Sequence, residues 1–595
     1  MVIDFLLAKA APAGGAALGE ALLATGGALV ITTVMLGVVI GHRSGKLPQV
    51  GRLAAFSERS SGMPGWASLP LFFVAGSLFV AVLGMYWDIS IHIDEGRDAG
   101  PLANAAHYLI LLGLFGIFFA GLLSICLPMS GKPSDASVKI MGDWHAPVGG
   151  LLMTVSASFA LAAFPLDDVW HRIFGQDVTL WGPTHLVLIG GAGLATVGAL
   201  ILLAEGLRSR GSAMPRRHPR WLTLRQAILA GAFLTALSTF QAEFDFSVPQ
   251  FRLIWHPILL MLAAGIGLVS ARLMIGRGCA LMAVAAFLGI RVLLSLWVGP
   301  LTGHSALHFP LYIVEALVVE AVALRAIRTE RPIAFGALAG LGIGTLGLAA
   351  EWAWTNVWFT MNWNSALLPE GIVAGVLAGV AGGVIGGFVG GSLRTPVAER
   401  HPEARWAPAL AAAVAVALFI FAAPMNAGDG VRAEITTREL TPAPKRTVSV
   451  NMKLDPPDAA KNAEWLNLTG WQGGTKSIVD KLREVGPGEY ASTQPIPVHG
   501  NWKITARLHD DFAVTGLPIF MPADPAIPVK ETKVEPSVTR EFILDKENLL
   551  REQKKGVSSA LVIGAYLLVL AIGLGLVAAL AWGLSRFARK EHTTA

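Results

Sequence analysis

Cysteine and charge are both scarce in this chain of 595 residues. Two cysteines are present, Cys126 and Cys279, and charged residues make up only 15% of the sequence. Two cysteines near the ends of apolar segments do not make a disulfide framework, which excludes a small secreted fold held together by disulfides. The G-x-x-x-x-G-K-[ST] loop that binds nucleotide phosphates is also missing, so ATP-driven transport is not expected.

Apolar residues dominate the rest of the chain. They account for 53% of it and form runs of about 20 residues, the length that crosses the hydrocarbon core of a bilayer. We therefore predict an all-α polytopic membrane protein with about thirteen transmembrane helices. These helices are expected near residues 21–40, 67–87, 104–128, 146–165, 184–204, 224–242, 256–271, 279–298, 308–325, 333–353, 370–391, 407–424 and 557–584.

The basic residues predict the orientation of these spans. Every second loop is basic, beginning with Arg43 and Lys46 after the first span and ending with Arg586 after the last. The positive-inside rule makes those loops cytoplasmic, so the amino terminus is expected outside and the carboxyl terminus inside the cell. The net charge of +5 is accounted for by these loops. We therefore expect a multi-pass protein of the cell membrane, with the lipid bilayer and not a nucleic acid as its partner.

A polar segment precedes the last span. Residues 425–555 are rich in proline, and apolar residues alternate with polar ones in 447–454 and 502–508, which is typical of strands with one buried face. We predict a transmembrane domain at 1–424, a small extracytoplasmic β-sandwich domain at 425–555, and a final helix with a cytoplasmic tail at 556–595. Part of the segment 425–555 resembles the closing hairpin of immunoglobulin-like bacterial modules of the FixH, YtkA and CopC type. The stretch that carries the resemblance is GPGEYASTQPIPVHGNWKITARLHDDF.

The pattern D-x3-H-x3-G-x-D, followed by a further histidine, occurs twice. An aspartate and a histidine four residues apart share one face of a helix, and a histidine at the start of the next helix can close on them. Each copy is therefore predicted to form a three-ligand metal site. The ligands are Asp88, His92 and His107 in the first copy and Asp167, His171 and His185 in the second. The later aspartates, Asp98 and Asp177, are candidates for a supporting or proton-relay role.

Further candidates lie at the same predicted boundary. Spans 3, 5, 7 and 9 each begin with a histidine, which indicates a tandem of helical hairpins facing outward. The additional candidate ligands are His256, His304, His308, Glu243 and Asp245. A purely structural alternative stays open, in which Asp88 and Asp167 pair with Arg97, Arg172 or Arg252 to join neighbouring hairpins.

The ligand types favour some metals over others. Mixed imidazole and carboxylate ligands suit copper, zinc or iron. The absence of nearby thiolates and clustered methionines argues against a dedicated Cu(I) conduit, and the Glu-x-x-His pairs typical of dinuclear iron centres are missing. Copper is our first choice and zinc the second.

The stretch DDVWHRIFGQDVTLWGPTH at residues 167–185 resembles the metal-binding segment of the C subunit of copper membrane monooxygenases, the particulate methane and ammonia monooxygenase group. The resemblance implies that Asp167, His171 and His185 bind copper, with Asp177 as the intervening carboxylate. The first copy follows by internal similarity. The resemblance also implies oxidation of a small apolar substrate with O2, together with other membrane subunits or further copies of the chain.

Two other functions remain open. A metal-handling or proton-coupled transporter would need ionisable groups inside the membrane, and these are scarce apart from Glu315 and Glu320. A haem protein that transfers electrons would need two axial histidines at matching depth, and His107 with His185, or His256 with His308, would qualify. Because the motif histidines have acidic neighbours, we rank haem below copper as the expected cofactor.

The eleventh predicted span carries a regular glycine pattern. Glycine recurs at every fourth residue from 371 to 391. Such a stripe lets a neighbouring helix approach to backbone contact, so we predict a packing role rather than a gating role.

Overall fold

The computed structural model describes residues 15–589, apart from 99, 176–178, 210–218, 326–328, 395–405, 525, 526 and 528. Eleven helices in this part of the chain are long and apolar enough to cross a membrane. They are α1 Leu18–Arg43, α3 Gly65–Asp94, α4 Ala105–Cys126, α5 Val148–Phe174, α6 Pro183–Ser209, α7 Leu222–Asp245, α8 Trp255–Ile275, α9 Cys279–Leu301, α11 Pro332–Trp358, α12 Leu368–Leu393 and α15 Ser559–Ala588. The shorter helices are α2 Pro48–Ser61, α10 Ile313–Arg325, α13 Ala407–Ala422 and α14 Asp545–Leu549.

Two of the thirteen predicted spans are shorter than expected. The span predicted at 308–325 contains a helix only from Ile313 to Arg325, and the span at 407–424 contains one of 16 residues, Ala407–Ala422. Before Ile313, residues 303–312 have no regular helical structure, although several are buried. The apolar composition predicted a membrane segment here, but composition does not show where a helix is interrupted. Parts of three predicted basic loops, 210–218, 326–328 and 395–405, lie outside the described residues.

The polar segment before the last helix forms a β-rich region of two antiparallel sheets. One sheet has the strand order β13-β11-β10-β5-β6, and the other has the order β12-β3-β4-β8-β7 with β9 beside β4. The strands are β3 Arg432–Thr441, β4 Thr447–Asp455, β5 Trp465–Trp471, β6 Ile478–Asp480, β7 Arg483–Gly486, β8 Glu489–Ala491, β9 Ile496–Pro497, β10 Lys503–Asp510, β11 Ala513–Phe520, β12 Ser537–Glu541 and β13 Ile543–Leu544. A separate small hairpin, β1 Val138–Met141 and β2 Trp144–Ala146, lies between α4 and α5.

Residues from both sheets share one hydrophobic core. On β4 the alternate residues Val448, Val450, Met452 and Leu454 are buried, as the period-two pattern of the sequence predicts. Leu508 on β10 belongs to the same cluster. On β4 the alternation thus gives one face for the core and one for solvent, whereas β10 is buried on both faces, unlike the one-faced strand predicted for 502–508.

Glycines allow three helices to meet at backbone distance. On α12, a methyl group at Gly383 would overlap with the carbonyl oxygen of Gly336 on α11, and one at Gly336 would overlap with that of Gly383. On the other side of α12, Gly382 and Gly386 lie against the backbone of α8 around Gly265. The predicted glycine stripe therefore packs against α11, and a second row of glycines that includes Gly390 packs against α8.

The two ends of the helix bundle differ in charge and in contacts. At one end the β-rich region contacts the last turns of α3 and α5, where Gln472 N donates to Ile93 O at 2.9 Å and Lys554 N donates to Phe174 O at 2.7 Å. Five of the helices that begin at this end have an arginine at or near their other end. These arginines are Arg43, Arg208, Arg272, Arg394 and Arg586.

Candidate metal centres

Four side chains of the first motif copy converge where α3 ends and α4 begins. Asp88 and His92 lie one turn apart near the end of α3, Asp98 lies in the following loop, and His107 lies in the first turn of α4. Asp88 Oδ1 is 3.4 Å from His92 Nε2 and 3.1 Å from His107 Nε2. Asp98 Oδ2 is 3.5 Å and 3.6 Å from the same nitrogen atoms. One ligand atom from each residue lies within 4.8 Å of all the others.

The second motif copy builds the same arrangement between α5 and α6. Asp167 Oδ2 is 3.1 Å from His171 Nε2, and Asp167 Oδ1 is 3.4 Å from His185 Nε2. The three ligand atoms again lie within 4.8 Å of one another. Asp177, the counterpart of Asp98, lies outside the described residues. The sequence repeat is therefore also a repeat in space, with two separate clusters.

A glycine carbonyl fixes the first histidine ring of each cluster. His92 Nδ1 lies 2.9 Å from Gly96 O, and His171 Nδ1 lies 3.3 Å from Gly175 O. The two glycines have φ angles of +94° and +82°, which side chains rarely permit. The glycine of the motif thus turns the chain at the helix end so that its carbonyl faces back toward the ring.

The second histidine of each cluster is held in the same way. His107 Nδ1 lies 2.9 Å from Pro101 O, and His185 Nδ1 lies 2.8 Å from Thr179 O, in each case a carbonyl six residues earlier. A carbonyl only accepts hydrogen bonds, so Nδ1 carries the proton in all four rings. In a neutral imidazole the lone pair is then on Nε2, the atom that faces the aspartates. Metal-binding histidines are commonly oriented by this kind of bond from the other ring nitrogen.

The spacing of the ligand atoms suits a small metal cation. Lone pairs on Nε2 and on a carboxylate repel each other unless a proton or a cation lies between them. Ligands at about 2.0 to 2.1 Å from a tetrahedral metal are about 3.3 Å from one another. The nitrogen-to-oxygen distances in the two clusters run from 3.1 to 3.6 Å. The donor types and their separations therefore fit such a cation in both clusters.

A neighbouring polar side chain holds each bridging aspartate. Asn104 Nδ2 donates to Asp88 Oδ1 at 2.5 Å and to Asp98 Oδ2 at 3.1 Å. In the second cluster, Thr184 Oγ1 donates to Asp167 Oδ1 at 2.6 Å. Neither Asn104 nor Thr184 was predicted from the sequence to support the clusters. Asn104 had a recognisable signal, because an asparagine just before an apolar helix is typical of an N-cap, and its side chain does accept from Ala106 N at 2.8 Å.

The chain was also compared with known proteins. No family model, curated protein or solved structure matches it. The resemblance to copper membrane monooxygenases depends on the motif alone.

The arginines of the structural alternative pair with other carboxylates. Arg97 binds Asp524 at 2.6 Å in the β-rich region, and Arg172 binds Asp168 at 2.7 Å. The third, Arg252, binds Glu370 at 2.7 Å and Asp511 at 3.3 Å. The cationic partners that the structural alternative assigned to Asp88 and Asp167 are therefore engaged elsewhere, and the four histidines lie beside these aspartates instead.

The three additional histidines lie outside both clusters. His304 Nδ1 is 3.4 Å from Asp94 Oδ2, next to the first cluster but not in it. His256 accepts a hydrogen bond from Trp363 Nε1 at 3.0 Å. The Phe359 ring packs against both His256 and His308, at centroid distances of 5.6 and 5.4 Å. An aromatic side chain thus lies against both rings of the pair that a bis-histidine haem would use.

The two additional carboxylates have structural partners. Glu243 Oε1 accepts hydrogen bonds from Thr179 Oγ1 at 2.8 Å and from Leu180 N at 2.9 Å. It thereby holds the loop that contains Thr179, whose carbonyl oxygen orients His185. Glu243 thus supports the second cluster without belonging to it. Asp245 pairs with Arg291 at 3.0 Å.

The β-rich region contacts the loops beside both clusters. Gln472 lies against Gly96, and Lys503 Nζ donates to Gln472 Oε1 and, at 2.8 Å, to Glu552 Oε1. Burial lowers the pKa of Lys503. Near the second cluster, Gly175 forms an isolated bridge with Gln553. The loops that orient His92 and His171 are thus covered by the same region.

Proposed function

We propose that this protein is an integral membrane metalloprotein that holds a metal ion in each of two His/Asp clusters at one end of its helix bundle. The observation that carries the proposal is the duplicated orientation of the rings. In both clusters every Nδ1 binds a backbone carbonyl and every Nε2 faces the bridging aspartate, Asp88 or Asp167. Partly buried groups of this kind at a membrane boundary are costly without a ligand, and here the same costly arrangement occurs twice.

We propose copper as the metal, with zinc as the rival. Neutral imidazole and carboxylate donors suit both ions, and copper binds such sites more tightly than zinc. The resemblance of residues 167–185 to the copper membrane monooxygenases supports the same choice. On this proposal His92, His107 and Asp88 bind the first ion, with Asp98 as a fourth donor.

An apolar cavity supports a monooxygenase activity on a small apolar molecule. A cavity of about 1750 Å³ lies between α1 and helices α3 to α5, and residues close in sequence to both clusters line it. Leu102 and Tyr108 represent the first cluster, and Pro165 and Asp168 represent the second. A monooxygenase would also need O2 and a two-electron donor. Consumption of O2 by copper-loaded protein supplied with a quinol, dependent on a short hydrocarbon, would support this activity.

We propose that both clusters face the outside of the cell. The arginines at the opposite end of the bundle support this orientation, because basic residues favour the cytoplasmic side. The same orientation makes the β-rich region extracytoplasmic, and its two sheets with a shared core suit the β-sandwich domain predicted from the sequence.

Metal content of the purified protein tests the proposal. Wild-type protein loaded with copper and freed of excess metal should contain two ions per chain, with electron paramagnetic resonance signals of nitrogen-coordinated Cu(II). His92→Ala and His171→Ala should each retain one ion, and the double variant none. The control His499→Ala changes a histidine of the β-rich region and should retain two. Unchanged copper content in the double variant would refute the site assignment.

A further inference from the structure

The interrupted segment before α10 is held by side chains instead of helical hydrogen bonds. In residues 303–312, Ser305 N donates to Asp94 Oδ2 at 2.7 Å. Further along, Leu311 N and Tyr312 N donate to Glu351 Oε1 at 2.9 and 2.7 Å. Non-helical backbone at membrane depth needs such partners, and in membrane proteins it often marks a binding site. Glu351 thus holds the backbone of this segment just before α10 begins.

A second buried glutamate lies next to Glu351. Glu315, in the first turn of α10, is fully buried, and Glu351 on α11 is 1% exposed. The Glu315 side chain packs against Gly347, one turn before Glu351, where a methyl group would overlap with it. The two carboxyl groups interact electrostatically. Among the described residues, both oxygens of Glu315 and Oε2 of Glu351 have no hydrogen-bond partner.

Another glutamate of the same helix provides a contrast. Glu320 Oε2 pairs with Arg272 at 3.0 Å, and its carboxylate accepts from Gly278 N at 3.0 Å and Ala280 N at 3.1 Å. Its charge is therefore balanced, and it joins α10 to the start of α9. No ion pair among the described residues balances Glu315 or Glu351 in this way.

In the part of the chain that the structure describes, no ion pair supplies the two glutamates with a cation. Tyr312 is a titratable neighbour of both, and its hydroxyl lies 3.0 Å from Ser238 Oγ. The guanidinium of Arg291 already binds Asp245 and the Ser238 carbonyl. Two adjacent carboxylates without a counterion cannot both be charged in a low-dielectric interior.

We propose that Glu315 and Glu351 form a proton-binding site within the helix bundle. Glu351, which accepts two backbone N–H bonds, is the carboxylate of the pair, and Glu315, which accepts none from a partner, is the neutral acid. The ligand is one exchangeable proton. The site is independent of the two metal clusters and gives the protein a group that can take up or release a proton inside the membrane.

Infrared spectroscopy of the full-length protein in lipid nanodiscs tests this site. At neutral pH the wild type should show the carbonyl-stretch band of a buried protonated carboxylic acid, and the band should shift to lower frequency in D2O. Glu315→Gln should remove one component of the band, seen in the difference spectrum between wild type and variant, because Glu351 alone is stabilised as a carboxylate by its two N–H donors. Glu351→Gln should keep the band, because Glu315 then has no donor to stabilise a charge. The control Glu320→Gln removes a glutamate that is ionised against Arg272 and should leave the band unchanged.

Three results would overturn the proposal. The first is the absence of the band in wild-type protein, which would mean that a metal or sodium ion, or water, balances both charges. The second is a difference spectrum between wild type and Glu315→Gln that contains no component of this band. The third is a band that does not shift in D2O, which would mean that the proton does not exchange with solvent. Each variant replaces an acid by its neutral isostere, and circular dichroism of the same samples checks that the helices are retained.

Discussion

The imidazole of His107 packs edge-on against the ring of Phe164 at a centroid distance of 5.6 Å. His107 belongs to the first cluster, whereas Phe164 lies on α5, less than one turn before Asp167 of the second cluster. The two clusters are therefore separate but adjacent, and one aromatic contact joins them. Changes at one cluster can be compared with the other as an internal reference.

The hydrogen bonds to the bridging aspartates should tune metal affinity. Asn104→Ala removes the donors to Asp88 and Asp98, and Thr184→Val removes the donor to Asp167. Loss of such supporting bonds typically weakens metal binding by about 10- to 100-fold. We expect Asn104→Ala to weaken only the first site and Thr184→Val only the second, as measured by calorimetric titration of metal-free protein.

The Asn104 variant should also affect stability. Asn104 caps α4, and loss of an N-cap costs about 1 kcal/mol, so Asn104→Ala should lower the unfolding temperature even without metal. Thr184 lies within the first turn of α6, so Thr184→Val serves as the uncapped comparison. Equal metal affinity in both variants and in wild type would refute a supporting role for these residues.

Arg97 should fasten the β-rich region to the first cluster. Its guanidinium binds Asp524 at 2.6 Å and lies 3.6 Å from Glu552 Oε2, and the three side chains are largely buried. Arg97→Gln removes a positive charge that lies between two largely buried carboxylates, which is costly. We expect faster hydrogen exchange in residues 472–477 and in the loop 95–104, measured by mass spectrometry.

The exposed pair Arg446 and Glu439, 2.9 Å apart, provides the control. Exposed ion pairs contribute about 0 to 1 kcal/mol, so Arg446→Gln should leave exchange in both segments unchanged. Identical exchange in the Arg97 and Arg446 variants would mean that the contact with α3 does not depend on Arg97.

Much of the candidate site could be predicted from the sequence because it is local. The i, i+4 spacing of Asp88 and His92 fixes them on one helix face, and the following hairpin is too short to carry His107 far away. The glycine at the end of each helix was part of the motif, although only the structure showed that its carbonyl accepts a hydrogen bond from the ring. Local spacing therefore predicted which side chains come together better than it predicted the groups that hold them in place.

Other features depend on contacts that are distant in the chain. The pairing of Glu315 with Glu351 and of Arg97 with Asp524 joins residues that no periodicity relates. The interruption at 303–312 was missed where it overlaps the span predicted to begin at residue 308, although Pro310 in that overlap is a residue type that disrupts helices. Its backbone conformation is fixed by acceptors on other helices, such as Asp94 and Glu351, which a sequence pattern does not reveal.

Glu464 should make the stability of the β-rich region depend on pH. Burial raises the pKa of Glu464 from 4.5 to about 7, and its carboxyl lies 3.3 Å from Nδ1 of His509, whose pKa burial lowers to about 3. A raised pKa in the folded state means that folding favours the protonated acid. Its stabilising contribution is full below pH 4.5 and is lost as the pH rises through 7.

Glu464→Gln keeps this position neutral at every pH. We expect wild type and variant to unfold at similar temperatures at about pH 5. At about pH 8 the variant should be the more stable of the two. Differential scanning calorimetry of the full-length protein measures both. Glu484→Gln, an exposed change in the same region, should follow the wild type, and a constant gap between Glu464→Gln and wild type across this range would contradict the prediction.

The close approach of α11 and α12 should make Gly383 intolerant of any side chain. A methyl group there meets the carbonyl oxygen of Gly336, which is backbone and cannot rotate away. The helices must separate, and overpacking of this kind costs about 1 to 3 kcal/mol. We therefore expect Gly383→Ala to lower the midpoint of chemical unfolding in detergent.

Gly27 on α1 is the matched control, because a methyl group there meets nothing within 4 Å. In a helix interior, alanine is favoured over glycine by up to about 1 kcal/mol, so Gly27→Ala should be neutral or stabilising. The same substitution thus has opposite expected signs at two helical glycines, which separates a packing effect from a general effect of helix propensity. A Gly383→Ala protein as stable as Gly27→Ala would show that α11 and α12 are not in backbone contact.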